Sequence, residues 1–205
     1  MIAKKHALAL YQFRKESNHC YTIHFNSGAE WKMYYKDGKI KNETWVPDEN
    51  DENGKNKLSF STYGNSESSE QIMVIDDTQQ FIIYENMILG FNGNIAYNYT
   101  FYELDPEFKD NEELKWYHNL LMYVVYALSP VISKEYNGID CYEINNCFGL
   151  TFIAKIYIDK ETYLPVASVN NSEIETYKFE VGNVTDEDVT VPDLSGYAQI
   201  IQGEN

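Results

Sequence analysis

The spacing of apolar positions changes several times along the chain. Over residues 3–16, Ala7, Leu8, Leu10, Tyr11 and Phe13 lie among Lys4, Lys5, Arg14 and Lys15, and Ser17-Asn18 follow, which predicts a helix and its stop. From Cys20 the period becomes two: Tyr21, Ile23 and Phe25 alternate with Cys20, Thr22 and His24, as in a half-buried strand. Residues 31–35 and 39–45 flank Lys36-Asp37-Gly38. Asp-Gly between alternating strands predicts a two-residue hairpin, because a type I′ turn needs φ > 0 at both central positions. Residues 47–57 read as a polar loop. Strands are predicted again over 58–63, 71–76 and 80–84, with a turn at Asp76-Asp77-Thr78 and one more strand near 95–101.

A second helix is predicted over 106–129. Asp105-Pro106 opens it, and Leu114, Tyr117, Leu121, Val124, Val125 and Leu128 keep helical spacing. Trp116, Leu120, Met122, Tyr123 and Tyr126 occupy its other sides, and a helix apolar nearly all round is buried on more than one side. Strands follow over 140–144, 151–158 with its partner 164–169, and 174–181, and the tail 191–197 reads as irregular. Neither a repeat nor a low-complexity linker divides the chain, so a single domain over 1–205 is expected. Strand runs with segregated helices predict an α+β fold. The all-round apolar helix predicts a strongly bent antiparallel sheet, an open half-barrel wrapped around or covered by helices.

Composition narrows the function classes. The 205 residues include 16 Lys+Arg against 32 Asp+Glu, a net charge of −16. Nucleic acid is disfavoured as a partner, since phosphate contacts need clustered Lys/Arg, and so is adsorption to anionic membranes. The longest apolar run, 120–128, is far short of the ~20 residues that span a bilayer, so no transmembrane segment is expected. The first residues lead into an amphipathic stretch and not an apolar leader, so an exported parent would carry its leader outside this chain.

Two stretches resemble the lipoprotein-carrier (LolA-like) superfamily, which includes many uncharacterised extracytoplasmic domains of Gram-positive bacteria. Asn137-Gly-Ile-Asp-Cys-Tyr-Glu-Ile144, then Ile156-Tyr-Ile-Asp-Lys-Glu-Thr-Tyr-Leu-Pro-Val166, is similar to the family's strand followed by an Asp-Lys-x-Thr-Gly-Leu-Pro hairpin. Tyr177-Lys-Phe179, Gly182-Asn-Val184 and Val191-Pro192 resemble its last strand and tail. Tyr163 departs from the pattern, standing where the family usually has Gly. It either takes a left-handed conformation, at roughly 1 kcal/mol, or belongs to a different loop. The resemblance implies a bent sheet with helices over its concave face and an apolar hollow for acyl chains. The implied lining is Trp31, Met33, Tyr35, Ile72, Val74, Phe81 and Ile83, with Leu121 and Val125 from the helix. The same side chains would equally fill a solid core.

No catalytic pattern stands out. Cys20 and His24 share one face of a strand and His19 the other, so His19-Cys20-x-x-x-His24 does not make a metal set. The acidic stretch 48–54 fails EF-hand spacing: counting back from Gly54 puts Glu49 first and Phe60 at the position of the bidentate Glu. No nucleophile elbow, Walker loop or dinucleotide fingerprint occurs, and no cofactor is expected. Cys141 and Cys147 bridge if the chain reverses between them, and otherwise stay free thiols. The leading expectation is a non-enzymatic, extracytoplasmic domain that binds a lipid or lipoprotein acyl chain. The alternative is a filled-core interaction module of the cell envelope that meets a protein partner through its acidic surface.

Overall fold

A computed structural model describes residues 2–51, 54–65, 71–84, 131–148, 152–170 and 172–201. The predicted strand at 95–101 and helix at 106–129, Leu121 and Val125 included, lie outside these residues. The described chain is mostly strand, with the single helix α1 (Ile2–Lys15). It falls into two compact units.

The first unit contains α1, β7 (Val131–Tyr136), β8 (Ile139–Phe148), β9 (Phe152–Asp159), β10 (Pro165–Asn170) and the first half of β11 (Glu173–Val181). Its strands lie in the order β11-β10-β9-β8-β7, all antiparallel, with β7 at the end. Ile144, Ile156 and Ile158 form a core on one side, against which Ile2 and Tyr163 pack. Cys141, Tyr157 and Ala167 form another on the opposite side, with Tyr136 and Val169 against it. Arg14 and Lys15 close the last turn of α1, where cations favour the helix dipole. The sequence pattern does not predict β7, because Val131-Ile-Ser-Lys-Glu135 carries no period-two signal. Every side chain from Val131 to Glu135 is exposed.

The second unit contains β1 (Asn18–Phe25), β2 (Glu30–Lys36), β3 (Lys39–Pro47), β4 (Asn56–Asn65), β5 (Gln71–Ile75), β6 (Gln80–Tyr84), the rest of β11 and β12 (Ala198–Ile200). Its open sheet runs β12-β6-β5-β4-β3-β2-β1-β11. The neighbours from β1 to β6 pair antiparallel, and β12 joins β6 in parallel. Asp37 (φ 48°) and Gly38 (φ 86°) make the expected two-residue turn, and Asn137 (φ 49°) and Gly138 (φ 82°) repeat it in the first unit. Residues 191–197 are irregular, as expected, and the chain leading into them is tied down. Asn18 holds it in both directions: Asn18 Nδ2 donates to Val184 O at 2.8 Å and Val184 N donates to Asn18 Oδ1 at 2.9 Å. A 3-10 turn (Glu187–Val189) then buries Val189 beside β2 and β3, before β12 begins.

Candidate functional site

Successive residues of a strand point to opposite sides, so the pairing registers of the second unit assign each side chain to one side of its sheet. One side carries the rows His19–Tyr35–Ile40–Gly64–Gln71–Tyr84, Tyr21–Met33–Asn42–Thr62–Met73–Ile82 and Ile23–Trp31–Thr44–Phe60. None of these positions is Asp, Glu, Lys or Arg. This side is referred to below as the wall. Tyr21 lies edge-on to Trp31 at 5.2 Å and stacks on Phe179 at 5.8 Å, while His19 stacks on Tyr35 at 4.8 Å. His19, Tyr21 and Ile23 are buried, whereas Trp31, Met33, Tyr35, Phe60, Met73 and Ile82 are half-buried.

The opposite side carries Cys20–Tyr34–Lys41–Tyr63–Ile72–Ile83 and Thr22–Lys32–Glu43–Ser61–Val74–Phe81. A charged knot sits at its centre. Glu43 accepts from Lys41 Nζ at 2.6 Å, Trp45 Nε1 at 2.9 Å and Tyr34 Oη at 3.1 Å. Burial pushes the Glu43 carboxyl up, but the bonds from Lys41, Trp45 and Tyr34 outweigh it and hold it below its ordinary value. Burial and the adjacent Glu43 carboxylate push the Tyr34 phenol well up. A carboxylate held ionised by three donors is a structural anchor and is not poised to take a proton near neutral pH.

The predicted lining is therefore divided. Trp31, Met33 and Tyr35 stand together on the wall. Ile72, Val74, Phe81 and Ile83 stand on the opposite side, with Val74 1% exposed and Ile83 37% exposed. The wall positions of β5 and β6 are Gln71, Met73, Ile82 and Tyr84 instead. Ile72-Met-Val-Ile75 and Phe81-Ile-Ile83 are apolar at every position, so period two has two equally good solutions. A usable signal existed for β3. Counting back from the Asp37-Gly38 turn pairs Met33 with Asn42 and Trp31 with Thr44.

Other expectations resolve on geometry. Cys20 and His24 share a side, while His19 faces away and its Nδ1–H donates to Glu16 O at 2.7 Å. Cys141 is a buried free thiol. Strand β8 runs without reversal from Ile139 to Phe148. Six residue steps along the strand separate Cys141 from Cys147 by about 20 Å, where a disulfide needs Cα atoms within ~7 Å. In the first unit the buried carboxylate Glu143 accepts from Lys134 Nζ at 2.8 Å. That bond first, and one from Tyr157, hold its carboxyl below its ordinary value against burial. Glu43 and Glu143 thus both pair with Lys and Tyr.

No protein-family model matches the sequence, and no curated protein matches it. Among solved structures the chain is similar to an uncharacterized conserved protein from Thermus thermophilus, with TM-score 0.52 and 9% identity over 98% of this chain and 99% of that one. It is also similar to a chain of the Pseudomonas aeruginosa MucA/MucB complex, with TM-score 0.46 and 10% identity over 95% of this chain and 62% of that one. A LolA superfamily protein from Nitrosomonas europaea follows, with TM-score 0.31 and 8% identity over 93% of this chain and 96% of that one. The first shows a shared fold, and at these identities likeness speaks of fold alone.

Proposed function

We propose that this chain is a non-enzymatic, extracytoplasmic domain that holds a hydrophobic ligand, a lipid or lipoprotein acyl chain, against the wall of its second unit. The observation that carries the reading is the wall itself: uncharged across six strands and half-buried at Trp31, Met33 and Tyr35. An acyl chain lying there removes apolar surface from water at about 25 cal/mol per Å² and meets no charge to desolvate. In this reading the sheet of the second unit is strongly bent, an open half-barrel around the ligand. Transfer then needs no chemistry, only a groove that opens and closes.

The test is native mass spectrometry of gently purified protein, followed by organic extraction. A reproducible added mass that extracts as lipid is the expected result. A bare 23.9 kDa chain that also ignores added fatty acyl compounds overturns it.

A second reading has its own observation. β7 ends the sheet of the first unit with Val131 45% and Ile132 48% exposed, an edge able to receive an added strand. A protein-interaction module of the cell envelope, acting through this edge and the acidic surface, is what a ligand-free chain would support.

A further inference from the structure

The wall holds one polar pair at its centre. Asn42 and Thr62 face each other across β3 and β4, between Met33 and Met73. Asn42 Nδ2 donates to Thr62 Oγ1 at 3.3 Å. The other end of the amide, Oδ1, is buried and accepts no hydrogen bond among the described residues. The amide nitrogen is the end that meets Thr62, so the unmet atom is the acceptor. A buried polar atom of this kind is destabilising until a donor reaches it.

Resting on the proposed function, we infer that the ligand is an uncharged acyl amphiphile carrying an amide N–H or hydroxyl, and that Asn42 Oδ1 receives this donor. A ligand that enters the row with such a group removes the unmet acceptor. Thr62 Oγ1 accepts from Asn42 and keeps its own O–H, which suits the carbonyl of an acyl amide. A hydrocarbon or simple ester brings no donor, so Oδ1 stays unsatisfied. A fatty carboxylate brings a charge to rows that hold no Lys or Arg, in a chain of net charge −16.

The experiment measures binding of oleamide, methyl oleate and oleate to the whole chain by calorimetry. Wild type is expected to bind oleamide about tenfold more tightly than methyl oleate, and oleate more weakly than either. Asn42→Leu should abolish the oleamide preference while methyl oleate binding persists. Thr62→Val, nearly isosteric and so an independent check against misfolding, should reduce the preference at least threefold. Equal wild-type affinities, or a preference that survives Asn42→Leu, overturn this inference and leave the hydrophobic-ligand reading standing. Failure of all three compounds to bind overturns that reading and this inference with it.

Discussion

His6 Nδ1–H donates to the backbone oxygen of Tyr163 at 2.7 Å, tying α1 to the corner of the β9–β10 hairpin. Tyr163 does take the left-handed conformation, at φ 60°, where the resembling family usually has Gly. Its neighbours explain why a Tyr persists there. The ring stacks on Tyr142 at 6.3 Å, and Lys5 Nζ donates to its hydroxyl at 2.9 Å. The residue also packs against Ile144, Ile156 and Ile158.

Stability should therefore fall on mild acidification. Burial lowers His6 from 6.5 to about 4, and the bond to Tyr163 only partly opposes this. Between those values the unfolded chain binds a proton that the folded chain does not, so the unfolding free energy falls as pH drops from 6.5 to 4, by about 3 kcal/mol. Glu43 adds to the loss below its ordinary 4.5, because its folded carboxyl is held low and its contribution disappears as it protonates. Urea denaturation across this range checks the first effect: His6→Leu should lose the slope between 6.5 and 4.

Tyr163→Gly should destabilise the chain. Gly removes about 1 kcal/mol of left-handed strain but loses the stack on Tyr142 and the buried ring area. A net loss of about 1–2 kcal/mol is expected in chemical denaturation. A more stable Gly variant would mean that the backbone strain outweighs the ring contacts.

The two sides of the second unit should respond differently to charge. Met33→Asp and Met73→Asp place a carboxylate on the wall and should weaken acyl-ligand binding by at least tenfold, since the ligand then desolvates a charge. Ile83→Asp, on the opposite side and 37% exposed, should leave binding within about twofold. Titration with an acyl ligand compares all three, and equal losses would remove the wall as the site.

Breaking the charged knot should be costly. Glu43→Leu leaves Lys41 without its carboxylate in a site where the Lys41 side chain is 14% exposed, and should cost about 3 kcal/mol. The double change Lys41→Met with Glu43→Leu should recover much of that, since no charge remains buried. Thermal unfolding of the two single variants and the double variant completes the cycle.

The hairpin at Asp37-Gly38, the alternation of β1 and the end of α1 near Lys15 were all legible in the sequence, because each depends on neighbours within a few residues. At the β9–β10 corner the resemblance left two outcomes open, a left-handed Tyr163 or a different loop, and the structure shows the first. That answer needed Tyr142 and Lys5, far away in sequence. The division of the predicted lining was illegible for a related reason. A strand polar on one side announces its inward side, and β1 does so. β5 and β6 are apolar on both sides, and a one-residue choice of register moves every side chain across the sheet.

The sequence by itself determined the strand-rich composition, the tight turns and the absence of charge at Trp31, Met33 and Tyr35, since these follow from residue type and local spacing. Only the tertiary structure decided that Met73 and Ile82 join that wall while Val74 and Phe81 leave it, and that Asn42 meets Thr62 at its centre. Those outcomes rest on hydrogen-bonded pairing between strands distant in the chain, and pairing, not local preference, sets the side on which each residue emerges.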